Sequence, residues 1–305
     1  MIVRPHQHWF RRLFDWHGSV LSKILFRLLL NLLASVLAVL SYQQYESLGI
    51  HLTTAPFSLL GVAIAIFLGF RNNAGYERFT EARALWGSLL ITQRSLLRQV
   101  KSCLLSDEPA AREFAALMTA FSWCLKHQLR QTDARCDIER LLPARWREQV
   151  MHHPVQASQI LLCMGIWLGE QREKGVISDI VWHSIDKNLH QLSCVLGGCE
   201  RISSTPIPFA YSLMLHRTVY LFCTLLPFAL VKDLHYMTPL VSVFISYTFL
   251  SLESLAEELE DPFGTAANHL PLNAICVVIE RNLKAMNSDF PLPALLQPDK
   301  HFNLT

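Results

Sequence analysis

The 305-residue chain contains no CxxC pair, no GxGxxG fingerprint, no Walker-type phosphate loop, no GxSxG elbow and no paired catalytic carboxylates. Each missing pattern removes a class: redox dithiols and zinc ribbons, dinucleotide and nucleotide enzymes, serine hydrolases, glycosidases. An enzyme reading therefore has no positive support. The eight cysteines are scattered, with Cys194 and Cys199 the nearest pair, which fits reduced, buried thiols rather than a disulfide framework. No cleavable signal peptide is expected, because the start is basic and aromatic and the first apolar run comes late. The net charge of +2 marks no basic surface, and no nucleic-acid partner is expected.

What the chain has instead is bunched apolar sequence. Mean hydropathy is +0.25, and the apolar runs are Ile24–Tyr42, Pro56–Phe70, Val219–Val231 and Tyr236–Leu252. About 20 helical residues span a bilayer, so the shorter runs must borrow flanking residues. The reading is all-α: four membrane helices in two hairpins, bracketing a large amphipathic insert. Residues 1–70 carry the first hairpin, 71–211 a helical cytosolic domain, 212–256 the second hairpin, and 257–305 an acidic turn with an extended arm. Arg4, Arg11, Arg12, Lys23 and Arg27 precede the first run, Arg71, Arg78 and Arg83 follow the second, and the link from Gln43 to His51 has no Lys or Arg. The positive-inside rule then places both termini and the insert in the cytoplasm, with the chain in the cytoplasmic membrane. Residues 1–20, with Trp9, Phe10, Phe14 and Trp16 among arginines, suit a headgroup-level segment or a helix packed on the insert.

The uncharged stretch Thr54–Phe70 is the centre of the pattern. Gly61, Ala65 and Gly69 recur every four residues and allow close helix packing. Val62, Ile66 and Phe70 form an apolar ridge beside them. Around an axis such a ridge would make a hydrophobic neck that gates by dewetting; on an isolated helix it would face lipid or core.

The helix is expected to continue into the cytosol, with a kink near Gly75. Further helices are expected over 110–131, 155–174 and 178–198, with no clear element between Asp133 and Val150. Pro206 and Pro208 make an extended approach to the third membrane helix, which Pro227 should kink or end early. Glu253, Glu257, Glu258, Glu260 and Asp261 crowd the end of the fourth helix, where acidic groups oppose the dipole. They form an ion-pair collar with Arg71, Arg78 and Arg83, a cation site, or a solvated acidic face. His183, Asp186 and His190 share a helix face and are weak metal-ligand candidates that lack a fourth ligand.

The segments FLGFRNNAGYERFTEARALWG (67–87), TPIPFAYSLMLHRTVYLF (205–222) and EELEDPFG (257–264) resemble the bestrophin family in its bacterial branch. The resemblance implies a homopentameric ion channel with one axial pore, in which Val62, Ile66 and Phe70 line the neck. It also implies a second, cytosolic constriction, for which Ile180 is the candidate. Animal members carry an acidic, calcium-ligating run after Pro-Phe-Gly. Here that run is Thr265-Ala266-Ala267-Asn268-His269, so no calcium cofactor is expected. A hydrophobic neck sets no charge preference. Asp179 beside Ile180, and the resemblance to cation-permeable bacterial members, favour monovalent cations such as sodium, with an anion channel of the same architecture as the alternative. A membrane-anchored scaffold is the rival from another class.

Overall fold

The computed structural model describes residues 1–4, 8, 10, 18–47, 53–104 and 108–305. The aromatic and basic segment 1–20, expected at the headgroups or packed on the insert, lies largely outside these. Among the described residues there are eleven α-helices, and the only β-type pairing is one isolated bridge, Ile2 with Asn303. The helices are α1 (Leu21–Leu40), α2 (Tyr42–Ser47), α3 (Thr54–Cys103), α4 (Glu108–Arg130), α5 (Arg135–Leu141), α6 (Ala144–Met151), α7 (Gln156–Glu173), α8 (Asp179–Ser204), α9 (Phe209–Leu234), α10 (Thr238–Glu260) and α11 (Leu272–Met286). They fall into two compact units: Arg4–Phe79 with Pro206–Asp261, and Met1–Val3 with Thr80–Thr205 and Pro262–Thr305.

The first unit holds the apolar runs. Among the described residues, three stretches are long and apolar enough to cross a membrane: Leu21–Leu40, the start of α3, and Phe209–Glu260. The last is divided into α9 and α10 by a 3-10 turn at His235–Met237, where His235 takes φ 46°. Ile24, Leu28, Ile64, Val219, Phe222, Cys223, Leu226 and Leu250 form its buried core.

Pro227 does not end α9, which runs on to Leu234. A proline inside a helix has no N–H, so the carbonyl four residues earlier loses its partner. That carbonyl belongs to Cys223, and Asn31 of α1 donates its Nδ2 to it at 2.6 Å. Asn31 is 5% exposed, and its Oδ1 accepts from Ser242 of α10 at 3.2 Å. One side chain thus repairs the proline break and ties three helices together, as proteins in lipid require of any freed backbone group. Asn31→Leu leaves the Cys223 carbonyl orphaned and is expected to cost about 1–2 kcal/mol, read as a lower Tm of the purified protein in detergent.

As expected, α3 runs on past Gly75 as one helix to Cys103. The missing side chain of Gly75 is used for packing. A Cβ there would lie 3.2 Å from Leu259 Cβ and 3.5 Å from the Ala256 carbonyl, so α10 comes close at this position.

The second unit is an all-helical core around Trp86, Leu89, Leu96, Phe114, Phe121, Trp146 and Trp167. Phe114 and Trp167 rings lie 4.6 Å apart. Helix α8 outruns the predicted end at 198 because Cys199 and Ile202 continue its buried stripe of Leu192, Val195 and Leu196. The region from Asp133 to Val150 contains α5 and α6, short helices anchored by buried Ile138, Trp146 and Val150. Helix α11 was not anticipated within 257–305. It forms because Leu272, Cys276, Ile279 and Leu283 make a buried face. Beyond it the chain is an extended arm, whose Leu304 exchanges backbone hydrogen bonds with Met1.

Candidate functional site: an uncovered apolar helix face and its acidic neighbour

Along the first part of α3, Ile64, Leu68, Arg71 and Gly75 are buried within the unit. At 100° per residue this stripe is directly opposite Val62, Ile66 and Phe70. Those three are 60%, 52% and 61% exposed. The unit therefore packs on one side of α3 and leaves the ridge uncovered. Gly61 faces inward, where a Cβ would meet Phe222 at 3.4 Å. Gly69 has open space around it, and Ala65 is exposed. Only the first of the three small residues packs inside its own chain.

The acidic end of α10 is partnered, but mostly by residues that the sequence did not pair with it. Arg71, 4% exposed, reaches Glu260 at 3.4 Å, and its Nε and Nη1 have no hydrogen-bond partner. Arg78 Nε donates to the Glu260 carbonyl at 3.1 Å. The other Glu260 oxygen accepts from the Ile207 N–H at 3.2 Å, which fixes the extended approach to α9. Glu258 pairs with Lys23 at 2.7 Å. Glu253 is fully buried between His216, whose Nδ1 lies 2.6 Å from Oε1, and Arg27, 3.5 Å from Oε2. Arg27 also sits over the Tyr220 ring at 5.2 Å. Arg83, Glu257 and Asp261 are exposed, and among the described residues no ion pair is seen for them. The signal that would have identified Lys23 and Arg27 is their spacing of four, which puts both on one face of α1.

In the second unit, Ile180 is 84% exposed. It is the second residue of α8, whose first turn is capped by Ser178 accepting from the Val181 N–H. Neighbouring Asp179 is held by Arg172 at 2.6 Å. His183 and His190 are exposed, and His190 faces Cys194 at 3.6 Å. They do not converge with Asp186 on a common point. Among the described residues the one grouping of metal-capable atoms is His216, Glu253 and Glu257. At the Pro262-Phe263-Gly264 turn, Arg130 donates to the carbonyls of Phe263, Gly264 and Leu270 at 3.1–3.3 Å.

A family model described as bacterial and fungal bestrophin protein matches residues 1–285. The chain belongs to the bestrophin family. This bestrophin is 58% identical, over the full length of both chains, to a protein of Escherichia coli K12 named as a voltage-dependent anion channel-forming protein. A Ralstonia nicotianae protein of the same description is 46% identical, with 92% of each chain covered. The crystal structure of a bestrophin homologue from Klebsiella pneumoniae superposes with a TM-score of 0.86 at 61% identity, covering 88% of this chain and all of that one. The apolar helices and this kinship make the bestrophin described here a membrane protein.

Proposed function

We propose that the chain is an ion channel of the cytoplasmic membrane, formed by five copies around one pore. One chain has too few membrane helices to enclose a water path, so the site is incomplete without further copies. The observation that carries this reading is the uncovered ridge of Val62, Ile66 and Phe70, opposite the face on which α3 packs. Converging copies of that ridge make a dry constriction without fixed charge. Ile180 supplies a second narrowing in the insert. Both termini and the insert lie in the cytoplasm, by the bias of Lys and Arg around the apolar runs. Purified protein in liposomes is expected to pass monovalent ions, whereas a scaffold that only anchors gives no flux.

Selectivity follows from charges outside the neck. The exposed Asp179 carboxylate beside Ile180 favours cations. A second reading, anion permeation, is favoured by the names of the relatives and by Arg172, which offsets Asp179. The reversal potential under a tenfold NaCl gradient separates them, approaching about 59 mV in magnitude with the sign of the permeant ion. The cation reading fails if the potential moves toward the chloride value.

Calcium is not proposed as a cofactor. The carbonyls after Pro262 already accept from the Arg130 guanidinium, a fixed cation where a calcium ion would need oxygen ligands. Flux is expected to be the same with millimolar calcium and with chelator; a calcium-dependent current would refute this.

A further inference from the structure

Where α9 begins and α10 ends, a cavity of about 250 Å³ is lined by Arg71, Phe209, Ser212, Leu213, His216, Glu253 and Glu257. Three of these offer metal-ligating atoms that lie within 4.8 Å of one another: the His216 imidazole from α9, and the carboxylates of Glu253 and Glu257, one helical turn apart on α10. Glu253 is 0% exposed, and its Oε2 has no hydrogen-bond partner, only the Arg27 guanidinium at an ion-pair distance of 3.5 Å. A buried carboxylate oxygen without a hydrogen bond is costly. We propose that His216, Glu253 and Glu257 form a binding site for a divalent transition-metal cation, of which Zn2+ is the best fit.

The chemistry of the donor set argues for that ion. One imidazole and two carboxylates are ordinary zinc ligands, and a fourth position stays open to water. Two carboxylate charges balance the ion. Binding replaces the hydrogen bond between His216 Nδ1 and Glu253 Oε1, now 2.6 Å apart, and releases its proton to solvent. Ligand atoms of a tetrahedral zinc site stand about 3.3 Å apart, so the group must contract modestly. Glu257 is exposed and has the freedom to do so. Two guanidiniums face the same region, and each already has a carboxylate. Arg27 lies 3.5 Å from Glu253 Oε2 and would hold that carboxylate from outside the coordination sphere. Arg71 is engaged with Glu260. An ion bound here ties the first turns of α9 to the last turns of α10 and so stiffens the hairpin.

The test is calorimetric titration of Zn2+ into the full-length protein in detergent, with Co2+ spectra as a second readout. Wild type is expected to bind one ion per chain with a Kd of about 1 µM or tighter, and Co2+ gives the intense visible bands of tetrahedral coordination. Glu257→Gln, a change at an exposed position, weakens binding at least about tenfold, and His216→Gln abolishes the Co2+ bands. His183→Gln and His190→Gln, on the exposed face of α8, leave both readouts unchanged. Absence of Zn2+ binding by folded wild type overturns the proposal. So does binding that survives both Glu257→Gln and His216→Gln, which would place the ion on histidines elsewhere.

Discussion

Phe70→Ala raises unitary conductance several-fold in planar-bilayer recordings of the purified protein, and Ile66→Ala does so to a lesser degree. The cause is the width of the dry neck. Water and ions are excluded from a narrow apolar constriction by the cost of leaving bulk solvent, and that cost falls steeply as the lumen widens. An aromatic ring removed from every copy at one level widens the lumen more than any single aliphatic truncation. The substitution is also well tolerated by the subunit. Phe70 is 61% exposed and takes no part in the core of Ile24, Ile64, Val219 and Phe222, so no internal cavity is left behind. Phe244 of α10 is a control of the same chemistry, 70% exposed on a different helix. Phe244→Ala is expected to leave conductance unchanged. Equal conductance in Phe70→Ala and wild type would mean that the ridge faces lipid.

The ridge was legible in the sequence because it is a property of one helix. Spacing of four, no charge from Thr54 to Phe70 and an abrupt arginine boundary are all local signals. The same holds for α4, α7 and α8, whose apolar stripes set their existence and approximate ends. What the sequence hid was contact between distant segments. Pro227 read as a kink or an early end, and only Asn31, 196 positions away, shows how the helix runs on past it. Gly75 read as the place for a kink, and only the approach of Leu259 shows that it is also a packing position. The acidic run at the end of α10 called for cationic partners; the spacing of four puts Lys23 and Arg27 on one face of α1, but only the fold brings that face to Glu258 and Glu253. Helix α11 was overlooked for another reason. Its stripe of Leu272, Cys276, Ile279 and Leu283 is regular, but it lies between a Pro-Phe-Gly turn and a proline-rich tail, whose composition dominated the reading.

Arg140→Met is expected to destabilise the second unit by about 2 kcal/mol at pH 7. Glu280 of α11 is almost fully enclosed, and Arg140 of α5 grips it at 2.7 and 3.1 Å. Trp123 Nε1 adds a third donor at 3.0 Å, and Lys284 lies 3.5 Å away. Removing one partner of a fully buried pair costs roughly 3–5 kcal/mol. The figure here is smaller because Arg140 keeps part of its surface in water and Lys284 remains in place. The same guanidinium holds Asp137, which also accepts from His127 at 2.9 Å. Burial pushes both carboxyls toward neutrality. For Asp137 the bonds from His127 and Arg140 outweigh it, and for Glu280 chiefly the bond from Arg140, so both ionise below their ordinary values. A depressed carboxyl contributes stability that is complete above its unfolded pKa, about 4, and is lost as pH falls through the folded value. Thermal unfolding of wild type in detergent should therefore weaken below about pH 4, and the deficit of Arg140→Met should shrink over the same interval. A deficit that is equal at pH 7 and pH 3 would assign the role of Arg140 to its packing over the Trp123 ring, 5.5 Å away, rather than to its charge.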